Sequence, residues 1–371
     1  MLTQPEQAYR VVKFIKYTYR IKVGSQSDRT SAARMQLLLR LLQAIAIYSI
    51  SAFYGIKFLL KTVFEFLFDP HLDRWATKDR SISLAVLHDP AFGRHKYVEV
   101  NGIQLHYVEN GDPEKPLMLF LHGFPEFWFS WRHQMKEFSR DYRVVALDLR
   151  GYGGSEAPNK RSAYQLDLLV EDVRSFVKAL GYEKVILVGH DWGAIIGFQF
   201  VLKHMAMIDR YIMMGAPSLD VTRRLLATSW QQFRMSWYAF FFMLPRLPEF
   251  YIWSKDFRYI DQNMGAYLTK LELEAYKYTF SSARALTRAI DYYRENFSFL
   301  QKEEKLPVIE RYCPGLYLMA EHDQFISMHS GQLLMKSIPH LRCRVIPASG
   351  HYIQQEDPQL VNKMIRDFLD L

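Results

Sequence analysis

The stretch Val185-Ile-Leu-Val-Gly-His-Asp-Trp-Gly193 decides the fold. Its apolar residues 185–188 predict a buried strand of a parallel sheet, and the apolar run that begins at Ala194 predicts a helix. The two glycines between them permit a sharp turn that larger residues would block. A strand, such a turn and a helix together form a nucleophile elbow, which presents the residue at its tip. That residue is Asp191, whose carboxylate can attack an alkyl carbon to form an ester, although an N-cap role is the alternative.

The composition fits one large α/β domain with an insertion. The chain has 371 residues, of which 49% are hydrophobic, so the core is well supplied. The net charge is +8, and most of the basic excess lies within residues 1–40. Because the remainder is nearly neutral, a nucleic-acid partner is not indicated. The two cysteines do not make a disulfide framework.

An apolar segment near the N-terminus predicts a membrane anchor. Residues 41–60 carry a single charge, Lys57, close to one end, and a span needs about 20 apolar residues. We therefore predict a basic arm over 1–40, an anchor over 41–60 and a linker over 61–95. A helix that lies on the membrane surface, or packs on the body, is the alternative.

The basic residues before this anchor predict the topology. They indicate a single pass, with the N-terminus in the cytosol and the domain that follows in the lumen of the endoplasmic reticulum. In that compartment, the sequon Asn296-Phe-Ser298 would be open to glycosylation.

Strand and helix patterns alternate along the rest of the chain. They predict a mostly parallel sheet with helices on both faces, fronted by an N-terminal hairpin whose turn is Asn101-Gly102. Further buried strands are predicted at 117–121, 144–148, 211–214, 316–320 and 344–346. From 218 to 306 the strand pattern stops and aromatic and basic residues recur at helical spacing, which predicts an inserted helical cap. The cap divides the core into 96–217 and 307–371.

The final helix is expected over residues 359–369. Its apolar residues predict the face that turns towards the core. That face comprises Leu360, Met364, Ile365 and Phe368.

Three groups on strand-end loops predict the reactive centre, since ligands of such sheets bind at the carboxyl ends of the strands. Asp191 lies on the elbow, Asp323 follows the strand at 316–320, and His351 follows the strand at 344–346. An ester on the nucleophile needs a base to activate water, and imidazole suits neutral pH. The acid fixes the tautomer of that imidazole and stabilises its charged form.

The acid has two rivals, Glu321 and Asp220. We prefer Asp323 to Glu321 because it lies further into the loop and has the shorter side chain. Asp220, which follows the preceding strand, is the weaker rival.

The loop His122-Gly-Phe-Pro125 follows another strand and predicts an oxyanion hole. Its donors would be the N–H of Phe124 and the N–H of Trp192 beside the nucleophile. We expect His122 to have a structural role, and His190 and His322 to have packing roles.

Several motifs resemble the epoxide hydrolases of the α/β-hydrolase fold. They are His-Gly-Phe-Pro-Glu at 122–126 with Ser-Trp-Arg at 130–132, Asp-Leu-Arg-Gly-Tyr-Gly-Gly-Ser at 148–155, and Val-Gly-His-Asp-Trp-Gly at 188–193. The match runs from about residue 96 to the C-terminus. Together with the membrane-like N-terminus, it makes the chain most similar to the animal epoxide hydrolase 3 and 4 branch.

The resemblance implies two cap tyrosines that protonate the epoxide oxygen. One is Tyr238, a few residues before the Pro-Arg-Leu-Pro-Glu stretch at 245–249, and the other is Tyr293, with Tyr292 as the adjacent rival. A phenol can donate a proton to a developing alkoxide in a dry site. No cofactor and no metal are implied.

The leading hypothesis is therefore a hydrolase that converts apolar epoxides, of lipid or fatty-acid type, to vicinal diols through an aspartyl ester. A haloalkane or haloacid dehalogenase with the same nucleophile is the first alternative, and the tyrosine pair argues against it. A non-catalytic, membrane-anchored protein of this fold is the second.

The expected preference for apolar substrates rests on cap residues, most of which we expect simply to pack the cap onto the core. These residues are Trp230, Phe233, Met235, Phe240, Phe241, Phe242 and Met243.

Overall fold

The computed structural model describes residues 26–68, 75–80, 83–297 and 313–370. Within them, eight strands form one sheet: β1 (Arg94–Val100), β2 (Ile103–Asn110), β3 (Leu117–Leu121), β4 (Arg143–Leu147), β5 (Val185–His190), β6 (Ile208–Met214), β7 (Gly315–Ala320) and β8 (Leu341–Ile346). Their order is β1-β2-β4-β3-β5-β6-β7-β8. Strand β2 pairs antiparallel with β1 and β4, and every other pair is parallel. The predicted mostly parallel sheet with an N-terminal hairpin is confirmed.

The hairpin turn forms as its sequence predicts. Val100 pairs with Ile103, which leaves Asn101 and Gly102 as a two-residue turn. Their φ angles are 52° and 70°, and this left-handed pair is the geometry that Asn-Gly favours.

The helices in chain order are α1 (Gln26–Phe68), α2 (Arg132–Phe138), α3 (Leu166–Ala179), α4 (Trp192–His204), α5 (Leu219–Thr228), α6 (Trp230–Met235), α7 (Trp237–Phe241), α8 (Leu247–Met264), α9 (Lys270–Phe280), α10 (Ala283–Asn296), α11 (His329–Ser337), α12 (Ile353–Glu356) and α13 (Pro358–Leu369). Helices α5 to α10 all lie between β6 and β7 in the chain. They form a helical insertion at the carboxyl ends of the strands, above the elbow.

The final helix turns the predicted apolar residues towards the core. Ile365 and Phe368 are buried, as is Val361, and Leu360 and Met364 are half-buried and pack against the core. The Asp357 carboxylate caps the first turn of α13, accepting the N–H of Leu360 at 3.0 Å. The predicted face is therefore confirmed, and Val361 adds to it.

Helix α1 is one continuous 43-residue helix. It runs past residue 60 into the predicted linker, and its segment Leu41–Phe68 is long and apolar enough to cross a membrane. One face packs on the insertion: Ile47 and Ile50 are buried with Phe233 and Phe240. The large apolar residues exposed elsewhere on this helix include Leu41, Ile45, Ile56, Leu59, Leu60, Val63 and Phe64. This helix is therefore a candidate membrane anchor.

The sequon asparagine is not available in the folded chain. Asn296 is buried, its Nδ2 donates to the carbonyls of Tyr164 and Tyr292, and its Oδ1 accepts the N–H of Leu166. The side chain therefore joins α10 to the start of α3. The expected accessibility of Asn296 to glycosylation was wrong for the folded chain.

Candidate active site

Asp191 stands on a sharp turn between β5 and α4. Its φ of 50° and ψ of −117° are strained for a residue with a side chain. Two glycines make the turn possible. A Cβ on Gly189 would lie 2.5 Å from the carbonyl oxygen of Gly193, and a Cβ on Gly193 would collide with the carbonyl of Leu121. The turn is therefore closed by backbone contacts that only glycine permits, and the carboxylate is presented above the sheet.

The histidine and the acid meet the nucleophile at this edge of the sheet. Nδ1 of His351 is 2.8 Å from Oδ2 of Asp323, and Nε2 of His351 is 3.7 Å from Oδ2 of Asp191. The other oxygen of Asp323 accepts the N–H groups of Phe325 at 2.7 Å and Ile326 at 2.9 Å. The loop after β7 thus fixes the acid, and the acid orients the imidazole towards the nucleophile.

Charge and burial set the protonation of this trio. Burial alone would lower the pKa of His351, but the negative charges of Asp323 and Asp191 outweigh it and hold the pKa well above its usual value. Burial opposes ionisation of Asp191, but hydrogen bonding and charge from His351 overcome it and lower the pKa of that carboxyl. The nucleophile is consequently ionised at neutral pH, and the imidazole is held as its counter-ion.

The two rival acids lie elsewhere. Glu321 is exposed and accepts the N–H of Ala348 at 2.9 Å. Asp220 is on α5, where its carboxylate is 3.3 Å from the guanidinium of Arg223. The carboxylate bonded to His351 is that of Asp323.

The loop after β3 covers one oxygen of the nucleophile. The N–H of Phe124 donates to Oδ1 of Asp191 at 2.8 Å. A Cβ on Gly123 would lie 2.5 Å from the same oxygen, so the backbone of this loop lies directly against the carboxylate. Trp192, which carries the second expected donor, is the first residue of α4, at the positive end of the helix.

Two tyrosines of the insertion lie over the elbow. Tyr238 is on α7 and Tyr293 on α10, with ring centroids 5.9 Å apart, and the ring of Tyr293 is 5.1 Å from that of Trp192. Burial, and then the charge of Asp191, raise the pKa of both phenols well above the usual range, so both are protonated at neutral pH. The rival Tyr292 is committed elsewhere, since its hydroxyl donates to the carbonyl of Arg150 at 2.7 Å.

Comparisons with known proteins agree with this geometry. A family model described as the alpha/beta hydrolase fold matches residues 116–358. Epoxide hydrolase 3 of Xenopus tropicalis is 38% identical over 309 residues, covering 80% of this chain and 83% of that protein. Epoxide hydrolase 4 of Mus musculus is 40% identical over 299 residues, covering 77% and 82%. The chain belongs to the epoxide hydrolases of the α/β-hydrolase fold.

A solved structure supports the same assignment for this epoxide hydrolase. The crystal structure of Bacillus megaterium epoxide hydrolase in complex with an inhibitor has a TM-score of 0.68 and 32% identity, and the match covers 74% of this chain and all of that one. The resemblance to epoxide hydrolases 3 and 4 stated from the motifs is therefore confirmed, as is epoxide hydrolysis.

A buried carboxylate that the sequence interpretation gave no role ties the epoxide hydrolase site together. Oε2 of Glu126 is 3.1 Å from the N–H of Gly123 and 2.7 Å from Nδ1 of His190. Its Oε1 accepts the side-chain amides of Gln354 at 2.8 Å and Gln355 at 2.9 Å. Glu126 thus joins the loop after β3, the elbow strand and α12, which begins just after His351.

The remaining histidines of the epoxide hydrolase differ in role. His190 bridges Glu126 and the carbonyl of His351. His122 contacts the carbonyl of Gly123 through Nδ1 and accepts the N–H of Leu149 at Nε2, a structural role. His322 is exposed, so its expected packing role was wrong. In the parts of the chain that the structure describes, no group of three or more His, Cys, Asp or Glu side chains is placed to hold a metal ion.

Proposed function

We propose that this epoxide hydrolase opens its substrate through an ester on Asp191. Oδ2 attacks an epoxide carbon and the ring C–O bond breaks, while Tyr238 and Tyr293 hydrogen-bond the epoxide oxygen and supply its proton. Oδ1, which accepts the N–H of Phe124 at 2.8 Å, becomes the ester carbonyl oxygen. The proposal is carried by the convergence of an ionised nucleophile and two protonated phenols at one buried point.

The second half of the cycle hydrolyses that ester. His351, held by Asp323, removes a proton from water, and the hydroxide adds to the carbonyl carbon of Asp191. The oxyanion that forms is stabilised by the N–H groups of Phe124 and Trp192. Its collapse breaks the ester C–O bond, and the departing alkoxide takes the proton held by His351. The second proton of the water restores the tyrosine that protonated the epoxide oxygen. The vicinal diol leaves, and one oxygen from water remains in the carboxylate.

The charge coupling described above supports a change of role for His351 between the two steps. Esterification removes the negative charge of Asp191, which is one of the charges that raise the pKa of the imidazole. The pKa of His351 therefore falls when the ester forms. The imidazole is a counter-ion before the first step and a stronger candidate base after it.

A single turnover in ¹⁸O-labelled water tests the mechanism. Protein in excess over a fatty-acid epoxide is quenched and digested, and the peptide that contains Asp191 is weighed. The expected result is one label in that carboxylate, and no diol from Asp191→Ala. Label found only in the diol would show direct attack by water and would refute the ester. Halide release from a haloalkane or haloacid without diol formation would favour a dehalogenase.

We propose apolar epoxides of lipid or fatty-acid type as the substrates. Support comes from the aromatic enclosure of the site, since the ring of Tyr293 is 5.6 Å from Phe124 and 5.0 Å from Phe242. We also propose residues 218–306 as the cap that makes this enclosure. A higher kcat/KM for short polar epoxides than for lipid epoxides would refute the preference.

We propose that α1 attaches the enzyme to the endoplasmic reticulum membrane. The exposed apolar residues of the helix support attachment. Burial of Ile47 and Ile50 against the insertion favours a helix that lies along the membrane surface rather than one that spans the membrane completely. Protease protection of tags at the two ends of the chain separates the geometries. Tags on opposite sides of the membrane support the predicted span, and tags on one side support surface attachment.

A further inference from the structure

A cavity lies between α1 and the helical insertion. Its volume is about 480 Å³, and it is bordered by α1, α6, α7, α8 and Trp75. The interface around it is aromatic: the ring of Tyr54 is 6.0 Å from Trp237, and that of Phe58 is 5.6 Å from Phe241. The cavity therefore lies where a membrane-attached helix meets the cap, outside the catalytic residues already described.

The cavity has an apolar wall and a basic rim. Phe241 and Tyr259 are buried in its wall. Five cationic side chains and one carboxylate line it, and that carboxylate, Glu65, is bonded to the Lys255 ammonium at 2.6 Å. Lys61 lies 3.8 Å from the same carboxylate. The other three cations, all on exposed residues, are Lys57, Arg234 and Arg258. This arrangement complements an amphiphile with an anionic head and an apolar chain.

Aromatic side chains lie between the cavity and the catalytic site. Trp237 lines the cavity, and its neighbour Tyr238 faces the nucleophile; their ring centroids are 6.5 Å apart. Tyr259 also lines the cavity, and its pKa is raised by burial, then by Tyr251 and then by the charge of Asp191. The two sites are thus separated by a thin layer of aromatic side chains.

The backbone beside the cavity is held in a rare conformation. Lys255, Asp256 and Phe257 have φ angles of 55°, 54° and 61°, in the left-handed region, and interrupt α8. Arg80 holds Asp256 with bonds of 2.7 and 2.9 Å, and Lys255 is held by Glu65 of α1. Such strain persists where surrounding contacts impose it, often at binding sites. Here it places Lys255 and Arg258 at the cavity.

We propose that this cavity binds the carboxylate of a fatty-acid epoxide at Arg234, Arg258 and Lys57, while the acyl chain runs past Trp237 to place the epoxide at Asp191. The inference rests on the proposed function and names the substrate's head group. A free fatty acid carries the required charge and chain, and α1 would place the opening beside the membrane in which such acids dissolve.

Paired substrates test the proposal. The epoxide of an 18-carbon fatty acid and its methyl ester are assayed with the full chain in detergent and with the variant Arg234→Gln/Arg258→Gln. The expected result is that the ratio of KM for the acid to KM for the ester rises about tenfold in the variant. Arg224→Gln, which removes an exposed arginine of α5 outside the cavity, is the control and should leave the ratio unchanged.

Binding without turnover provides the second arm. Radiolabelled stearate is titrated into Asp191→Ala with and without the two arginine changes, and weaker binding in the triple variant is expected. Equal binding, or an unchanged KM ratio, would overturn the carboxylate site while leaving epoxide hydrolysis intact. If the two arginine changes abolish binding to vesicles that contain anionic lipid but leave the KM ratio unchanged, the carboxylate proposal is overturned in favour of a site for a phospholipid head group. Absence of diol from every epoxide would instead refute the proposed function, whatever the binding result.

Discussion

Adjacent tyrosines on α10 offer a matched test of the proton donors. Tyr293→Phe removes a phenol that faces the nucleophile, whereas Tyr292→Phe removes one bonded to the carbonyl of Arg150 at 2.7 Å. A hydrogen bond to a developing charge contributes about 1.5–3 kcal/mol. Tyr293→Phe should therefore slow ester formation about ten- to hundredfold, with Tyr238 retaining part of the function. Tyr292→Phe leaves a buried carbonyl without its donor and should cost about 1–3 kcal/mol of stability instead.

The assay separates the two effects. Rapid mixing with excess enzyme gives the rate of ester formation, and thermal unfolding followed by circular dichroism gives Tm. We expect Tyr293→Phe to lower the rate with a small change in Tm, and Tyr292→Phe to lower Tm with a small change in rate. The reverse pattern would assign proton donation to Tyr292 and refute the geometric reasoning. Equal loss of rate in both variants would show that packing of α10, rather than the phenol, controls the step.

Further predictions concern the nucleophile and its base. His351→Gln should slow ester formation, because His351 helps to keep Asp191 ionised. It should slow ester hydrolysis more, by about 10²–10⁴-fold, so that acylated Asp191 accumulates in mass spectra of the quenched protein. Lowering the pH should protonate His351 once the ester has formed, because Asp323 raises the pKa of the imidazole. A protonated imidazole does not act as a base, so the burst of ester should grow as the pH falls. A burst that grows as the pH rises would contradict this. Gly123→Ala should reduce kcat at least about 10²-fold, because its Cβ would lie 2.5 Å from Oδ1 of Asp191. A folded variant with unchanged kcat would show that this loop does not lie against the Asp191 carboxylate.

Buried strands were the most predictable part of the fold. Strand β3 covers residues 117–121, as its unbroken apolar run predicts, since both faces of a central parallel strand are covered. Strand β8 begins at Leu341 rather than at 344, because this edge strand keeps exposed residues such as Arg342 that hide the pattern. Helix α13 follows its periodicity, since Ile365 and Phe368 are buried and the flanking Leu360 and Met364 pack against the core.

The site was predictable to the extent that its groups follow strands. Asp191, Asp323 and His351 converge because their strands are parallel and end at one edge of the sheet. The tyrosine pair came from resemblance, since nothing local distinguishes Tyr293 from Tyr292. They differ because the hydroxyl of Tyr292 donates to the carbonyl of Arg150, a residue far away in the sequence.

Long-range contacts account for what the sequence interpretation missed. Glu126 gains a role only when Gln354 and Gln355, from the other end of the chain, meet its carboxylate. The cavity between α1 and the insertion likewise forms only when α1 packs on the insertion. The residue pattern of one segment does not predict such a contact between distant segments. Large apolar residues lie on both the exposed and the buried face of α1, so hydropathy predicts an apolar helix without indicating which side contacts the rest of the protein.

The arrangement of charges supports the proposal that one histidine serves both halves of the reaction. With two carboxylates beside it, His351 is stabilised in its charged form, and that charge in turn keeps Asp191 ionised for attack. In the proposed mechanism, ester formation removes the negative charge of Asp191 and leaves that of Asp323 in place. The imidazole then loses part of the stabilisation of its proton at the stage that needs a base, and Asp323 still orients it. Under this proposal, covalent chemistry at Asp191 prepares His351 for the following step.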